Sequence, residues 1–293
     1  MNLIDGKKIA AELLAEMEVE VSNWVTSGGK RPQLVAVLVG EDGASQTYVN
    51  AKVKACEKVG IHSEVIKLST DTTQADLIKI INQLNQDPTV DGFIVQMPLP
   101  KTISENAILD AIDPRKDVDG FHPQNVGRMA LNMPTFYAAT PFGIMQLLKR
   151  SQIPTEGKHC VIVGRSNIVG SPLSILLSKN TNPGNCTVTL THSKTENLKE
   201  ITLSADILVA AIGKPNYITA DMVKTGAVII DVGITRVPDA LAKSGYQIKG
   251  DVDFNAVAPK ASYITPVPGG VGPMTIIALL QNTIRAAKKE VYA

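Results

Sequence analysis

The stretch Cys160-Val161-Ile162-Val163-Gly164-Arg165-Ser166-Asn167-Ile168-Val169-Gly170 decides the fold. Its four leading apolar residues read as a buried strand, Gly164 as a tight turn, and the residues from Gly170 onward as a helix. Strand, glycine turn and helix together aim backbone N–H groups and the positive end of a helix dipole at an anion such as a pyrophosphate. The match to G-x-G-x-x-G is incomplete, because Ser166 stands where the second glycine would be. Alone, the motif fits an ordinary strand-to-helix turn equally well.

Outward from this stretch the same alternation continues. Apolar runs at 187–190, 207–210 and 228–231 read as further buried strands, and residues 141–150 as a helix. Upstream, runs at 34–39, 65–68 and 92–95 read as strands, separated by helix-length stretches at 45–59 and 73–85. Strand and helix in this rhythm imply βαβ units and parallel sheets. Leu13, Leu14, Met17, Val21 and Trp24 recur at helical spacing near the start. A last helix over 273–289 follows a glycine-rich loop and ends in basic residues, as its dipole favours. Residues 97–139, with the clusters Met97-Pro98-Leu99-Pro100 and Phe121-His122-Pro123, mark the end of a first domain and its ligand loops.

A chain of 293 residues has room for two such domains, and 44% hydrophobic with 19% charged residues is the balance of a globular enzyme. The net charge of +1 creates no global field that would draw in nucleic acid or an anionic membrane. No run reaches the ~18 apolar residues of a membrane span. The first residues lack the apolar core and small-residue cleavage site of a secretory signal. Cys56, Cys160 and Cys186, like His62, His122, His159 and His192, show no metal-ligand spacing. The expectation is a cytoplasmic protein with reduced thiols, structural histidines and no metal.

The second strand of the nucleotide motif sharpens its reading. In NAD enzymes an acidic residue at the end of that strand, roughly 20 residues past the glycine turn, holds the ribose hydroxyls. Here Thr187-Val188-Thr189-Leu190 runs into Thr191-His192-Ser193-Lys194, which contains no acid. A carboxylate would repel a 2′-phosphate, whereas Arg165, Ser166 and Ser193 could bind one. Lys194 reads better as a solvated loop residue. The expected cofactor is NADP.

In the first domain Ser45, Tyr48 and Lys52 stand three and four residues apart, so they share one face of a predicted helix. That helix starts near the carboxyl ends of the strands, where ligands gather in open α/β sheets. From this helix alone, a solvated lysine beside a half-buried tyrosine is the simpler reading. Three further segments alter it: Val95-Gln96-Met97-Pro98-Leu99-Pro100, Lys116-Asp117-Val118-Asp119-Gly120-Phe121, and Thr265-Pro266-Val267-Pro268-Gly269-Gly270-Val271-Gly272-Pro273-Met274-Thr275. Together with Gly164-Arg165-Ser166 and the stretch from Ser45 to Lys52, they resemble the methylenetetrahydrofolate dehydrogenase/cyclohydrolase family, in order and over nearly the whole chain.

The resemblance implies a set of roles. The family's catalytic lysine falls on Lys52, its stacking tyrosine on Tyr48, its glutamine on Gln96 and its pterin-binding aspartate on Asp119. Substrate would also lie against Val95, Met97, Pro268, Gly269, Gly270, Val271 and Gly272, and NADP against Gly164, Arg165, Ser166, Ser193 and Ile234. Met97 and Thr191 replace a Leu and a Cys often found there, and Thr235 follows Ile234 where Asn is usual; the chemical groups stay intact. The implied ligands are tetrahydrofolate derivatives, and the implied assembly is a homodimer.

The implied fold is two α/β domains with a cleft between them. The first covers residues 1–139, completed by a C-terminal helix at 270–293; the second, at 140–269, is a Rossmann-type NADP-binding domain. Asp113 and Asp117 read as turn acids and Cys160 as a core residue. Two rival readings are an NADP dehydrogenase acting on shikimate-like hydroxy acids and a folate-binding regulatory protein with a decayed site. The first would need a Lys–Asp pair but neither Gln96 nor the 268–272 loop; intact Lys52, Gln96 and Asp119 speak against the second.

Overall fold

The computed structural model describes residues 1–239, 242 and 245–292. It divides into two compact units. One comprises Ala11–Ala139 with the chain from Ile276 onward; the other comprises Met1–Ala10 with Thr140–Thr275.

The first unit is built on three parallel strands in the order His62–Leu68, Gln33–Val39, Gly92–Val95. The central strand is apolar along nearly its whole length because both of its faces are covered. The strand His62–Leu68 starts earlier than its apolar run, since its polar first residues lie partly in solvent. Helix Gly43–Val59 opens on Asp42, whose carboxylate accepts the Ser45 N–H at 2.7 Å. It closes on Gly60, whose φ of 80° lets its N–H reach the carbonyls of the last turn. Helix Gln74–Gln86 lays Leu77, Ile81 and Leu84 on Val35, Val37, Phe93 and Val95. Each such aliphatic side chain contributes roughly 1.5–3 kcal/mol by leaving water.

The carboxyl-terminal part of helix Val271–Ala287 belongs to this unit. There Asn282, fully buried, donates both Nδ2 hydrogens, to the carbonyls of Val118 and Tyr137 at 2.9 Å each.

The second unit carries a six-stranded, wholly parallel sheet in the order Asn2–Leu3, Tyr263–Ile264, Val228–Asp231, Ile207–Ala210, His159–Val163, Thr187–Thr191. Its strands are apolar and its core joins Val161, Val163, Leu208, Ala210 and Ile229 to Ile218, Val223 and Val257. Helices Ala139–Arg150, Gly170–Ser178 and Leu198–Leu203 belong to the connections. A short antiparallel pair, Thr235–Pro238 with Tyr246–Lys249, stands outside the main sheet and had no periodic signal strong enough to be read.

The division departs from the expected boundaries in two places. Met1–Ala10 belongs with the second unit, because Asn2 and Ile4 donate backbone hydrogen bonds of 2.8 Å to Ser262 and Ile264. The two-residue strand they make was too short to leave a pattern. The last helix begins at Val271, not Pro273, and its first turn up to Thr275 stays with the second unit. In the six-stranded sheet a single strand, Thr187–Thr191, lies beyond His159–Val163, as in the doubly wound order 2-1-3-4-5. Among the described residues no helix is long and apolar enough to cross a membrane. All three cysteines are buried and free.

Replacing Asn282 by Ala leaves two buried carbonyls without donors. Each unsatisfied group costs about 1–3 kcal/mol, so the urea midpoint of the variant, followed by circular dichroism, should drop by the equivalent of roughly 2–6 kcal/mol. An unchanged midpoint would mean that water replaces the amide.

Candidate active site

Both units open at the same point of their topology. Counted from Gln33–Val39 in one unit and from His159–Val163 in the other, the first strand is flanked by the second on one side and the third on the other. The loops leaving the carboxyl ends of the first and third strands therefore part, and a crevice forms between them.

In the first unit those loops bring Lys52 and Gln96 together. Gln33–Val39 leads through the Gly40 turn and the Asp42 cap into helix Gly43–Val59, which carries Lys52 on its sheet-facing side. Gln96 directly follows strand Gly92–Val95, and its N–H continues the ladder to the Val37 carbonyl at 2.9 Å. Lys52 Nζ donates to Gln96 Oε1 at 3.1 Å, while Gln96 Nε2 donates to the Met97 carbonyl at 2.7 Å. The second bond settles which end of the amide faces the amine. Tyr48, one turn earlier, places its ring centroid 4.9 Å from Nζ. Lys52 is 4% exposed, so the solvated-lysine reading fails.

Burial pushes the Lys52 amine below the usual lysine range, against the opposing pull of Asp119 and Cys56. Cys56, one turn further along the same face and fully buried, has its thiol pushed up to about 12 by burial, despite the lysine. Asp119 is partly exposed, yet burial raises its carboxyl, with Lys52 acting to lower it and Asp117 to raise it.

The backbone at Asp119 is held from several sides. Its carbonyl accepts from Ala139 N–H at 3.2 Å, and Asn282 grips the preceding carbonyl at Val118. Gly120, at φ 74°, lies so close to Tyr137 and Ala138 that a Cβ would fall 2.4 Å from the Tyr137 carbonyl carbon. Asp113 is a turn acid, paired with Arg115. Asp117 is more than that: it is 2% exposed and accepts from the His122 N–H and Asn125 Nδ2, both at 2.8 Å. Sequence reading missed Asn282, because a polar residue on an apolar helix face carries no motif.

In the second unit, strand His159–Val163 leads into Gly164, whose φ is 121° and where a Cβ would lie 2.1 Å from the Ala211 carbonyl oxygen. A Cβ on Gly170 would lie 1.9 Å from the Gly164 oxygen. The two glycines therefore let the turn fold tightly under the start of helix Gly170–Ser178, whose N-cap, Val169, has no side-chain hydrogen bond. In that first turn the Ser171 N–H donates to the Ser166 carbonyl at 3.1 Å and Pro172 has none, which leaves the Gly170 N–H to face an anion, with Arg165 and Ser166 exposed beside it. Ser166 Oγ already accepts from Val169 N–H at 3.2 Å, which fixes the hydroxyl in the turn. At the end of strand Thr187–Thr191, Thr191 is buried while Ser193 and Lys194 are exposed. Ile234 is 64% exposed next to Gly233. These groups fit a dinucleotide carrying an extra phosphate.

Val95 and Met97 flank Gln96 in the first unit, whereas Pro268, Gly269, Gly270, Val271 and Gly272 belong to the second. There the loop is braced by the chain start: Gly269 O accepts the Lys7 N–H at 3.0 Å, and a Cβ on Gly6 would fall 1.8 Å from the Gly270 oxygen.

Comparison with known proteins places both halves of the chain in one family. Residues 4–119 match the family profile described as tetrahydrofolate dehydrogenase/cyclohydrolase, catalytic domain, and residues 138–291 match its NAD(P)-binding domain. The chain is 60% identical to the bifunctional protein FolD of Cytophaga hutchinsonii over 287 residues, covering 98% of this chain and 99% of that one. The crystal structure of the bifunctional methylenetetrahydrofolate dehydrogenase/cyclohydrolase from Campylobacter jejuni superposes with a TM-score of 0.92 at 46% identity, covering 99% and 100% of the two chains. That of the Trypanosoma brucei enzyme, complexed with NADP cofactor and inhibitor, gives a TM-score of 0.92 at 37% identity, over 99% and 98%. The chain belongs to the tetrahydrofolate dehydrogenase/cyclohydrolase family.

Proposed function

We propose that this chain oxidises 5,10-methylenetetrahydrofolate to the methenyl form with NADP and hydrolyses that product to 10-formyltetrahydrofolate, and that Lys52 carries the second step. The observation that supports this most is a lysine amine buried to 4% exposure and held on a neutral carbonyl, Gln96 Oε1, at 3.1 Å. The family match supplies the two activities. The NADP-bound Trypanosoma relative and the acid-free end of strand Thr187–Thr191 support the choice of cofactor.

The oxidation needs placement more than proton transfer. Loss of hydride from the methylene carbon leaves a cation shared by two folate nitrogens, so the substrate stabilises its own product. NADP, when bound, is the hydride acceptor. Gly164, Arg165, Ser166, Ser193 and Ile234 are the residues that would hold it. Asp119 offers two oxygens to neighbouring N–H groups of the pterin, and Tyr48 a ring face. Val95 and Met97, on either side of Gln96, would lie against the substrate in the first unit.

Hydrolysis does need protons to move. Neutral Lys52 takes a proton from the water that adds to the methenyl carbon. As an ammonium it then delivers that proton to the folate nitrogen whose bond to carbon breaks. The carbinol proton leaves as the formyl C=O forms, so one proton is released overall. An ordinary lysine, titrating near ~10.4, would be almost wholly protonated at neutral pH and a poor base; burial corrects this. Gln96 can orient the amine without adding a charge that would hold the proton. We further assign the protein to the cytoplasm as a homodimer, the compartment expected from three free cysteines and the assembly common in the family.

Lys52→Gln should abolish methenyl hydrolysis while sparing part of the hydride transfer, both followed in one spectrophotometric assay; equal loss of the two would refute the division of labour. The rate of methenyl hydrolysis, corrected for the uncatalysed reaction, should rise with pH through the lowered Lys52 pKa and level off well below pH ~10.4. A profile still climbing there would mean an unperturbed amine. Catalytic efficiency should be at least tenfold higher with NADP than with NAD, and a preference for NAD would remove Arg165 and Ser193 from the phosphate site.

A further inference from the structure

Two carboxylates in the second unit lie wholly or almost wholly out of water: Asp251 at 0% and Asp231 at 3% exposure. Neither was singled out by its sequence motif, and neither has a part in the chemistry above. Each is surrounded by backbone donors. Asp251 Oδ2 accepts the N–H groups of Ile212 at 2.7 Å and Gly213 at 3.0 Å, and its Oδ1 accepts that of Lys214 at 2.8 Å. Asp231 Oδ1 accepts from Gly233 and from Asp251 itself, both at 2.9 Å, and its Oδ2 from Val252 at 3.0 Å.

The donors come from particular loops. Ile212, Gly213 and Lys214 follow the third strand of the sheet, Ile207–Ala210, on one side of the crevice. Gly233 follows strand Val228–Asp231 and immediately precedes exposed Ile234. The Ala211 carbonyl that packs against Gly164 belongs to the first of these loops. Space is as restricted as the bonding. A Cβ on Gly233 would fall 2.5 Å from Asp251 Oδ1, and one on Gly250 would fall 1.9 Å from Asp231 Oδ2. Three N–H groups converging on one carboxylate form charge-assisted bonds, roughly twice as strong as neutral ones.

We propose that Asp251 is a positioning residue of the dinucleotide site: its carboxylate gathers residues 212–214 against the glycine turn at Gly164, while Asp231, which accepts the Asp251 backbone N–H, holds the turn at Gly233, so that the cofactor meets loops already in place. This rests on the reading of the Gly164 turn as the NADP site. At 0% exposure Asp251 acts through these loops and offers no surface of its own to a ligand.

The test uses the full chain. Asp251→Asn keeps the shape but replaces one acceptor oxygen with an NH2 facing a backbone donor. Calorimetric titration with NADP should show its Kd raised at least tenfold in a variant whose circular dichroism matches the parent. The dehydrogenase KM for NADP should rise by more than kcat falls, a split that a loss of folded protein would not produce. A folded Asp251→Asn protein binding NADP within twofold of the parent overturns the proposal. If that variant does not fold, amide hydrogen exchange on the parent decides. The N–H groups of Ile212, Gly213 and Lys214 should be strongly protected before any NADP is added, and exchange at open-loop rates overturns the proposal. A parent protein that gives no binding heat with NADP overturns the cofactor reading itself, a result distinct from any effect of the variant.

Discussion

Everything functional in this chain follows from how parallel strands must be connected. A parallel pair cannot be joined by a hairpin, so the chain crosses over through a helix each time. When the second strand is laid on one side of the first and the third on the other, consecutive crossovers run to opposite sides and their entry loops part. The first unit does this at Gln33–Val39 and the second at His159–Val163. One topological accident of strand order thus makes two crevices of different character. A buried amine and an amide face each other in the first unit; a tight glycine turn at a helix N-terminus and a pair of buried carboxylates shape the second.

The nature of the Lys52 partner decides what the lysine can do. A carboxylate at Gln96 would attract the ammonium with about 4 kcal/mol at 4 Å and an effective dielectric of 20, which would hold the proton by roughly three pKa units. The amide carbonyl orients the amine with far less electrostatic cost to the neutral form. Asp119 does pull in the opposite direction, but burial outweighs it. The same burial raises the Asp119 carboxyl, so neither group of the pair has the ionisation behaviour it would have in water.

Much of this was legible in the sequence because it is periodic or local. The strand runs, the helix carrying Tyr48 and Lys52, and the glycine turn at Gly164 all leave signals within a dozen residues. Burial of Lys52 left none: the same three-and-four spacing suits an exposed helix face, and only the strand that brings Gln96 alongside distinguishes them. Non-local brackets were equally silent. Asn282 reaches back to Val118 and Tyr137, Gly6 admits the loop at Gly270, and Asp251 collects N–H groups from residues 37 to 39 positions away. Their side chains satisfy backbone groups instead of forming motifs, so one-dimensional spacing does not announce them. The edge strand Asn2–Leu3 was hidden for a simpler reason, since two residues cannot display a period.

The buried thiols bear on how the protein reacts with chemical reagents. Burial pushes Cys56 to about 12 and Cys186 to about 11, and raises Cys160 as well. Thiolate, not thiol, attacks alkylating agents and oxidants, so these sulfurs are poor nucleophiles as well as poorly accessible ones. Lys52 shifts in the opposite sense, because lowering an amine's pKa raises the share of it that carries a free lone pair at any given pH. Burial therefore moves the two nucleophiles of this helix in opposite directions, the thiol away from reactivity and the amine towards it. An acylating group small enough to reach the crevice would find its electrophile matched to the lysine, while a maleimide or iodoacetamide would pass over the cysteine one turn away.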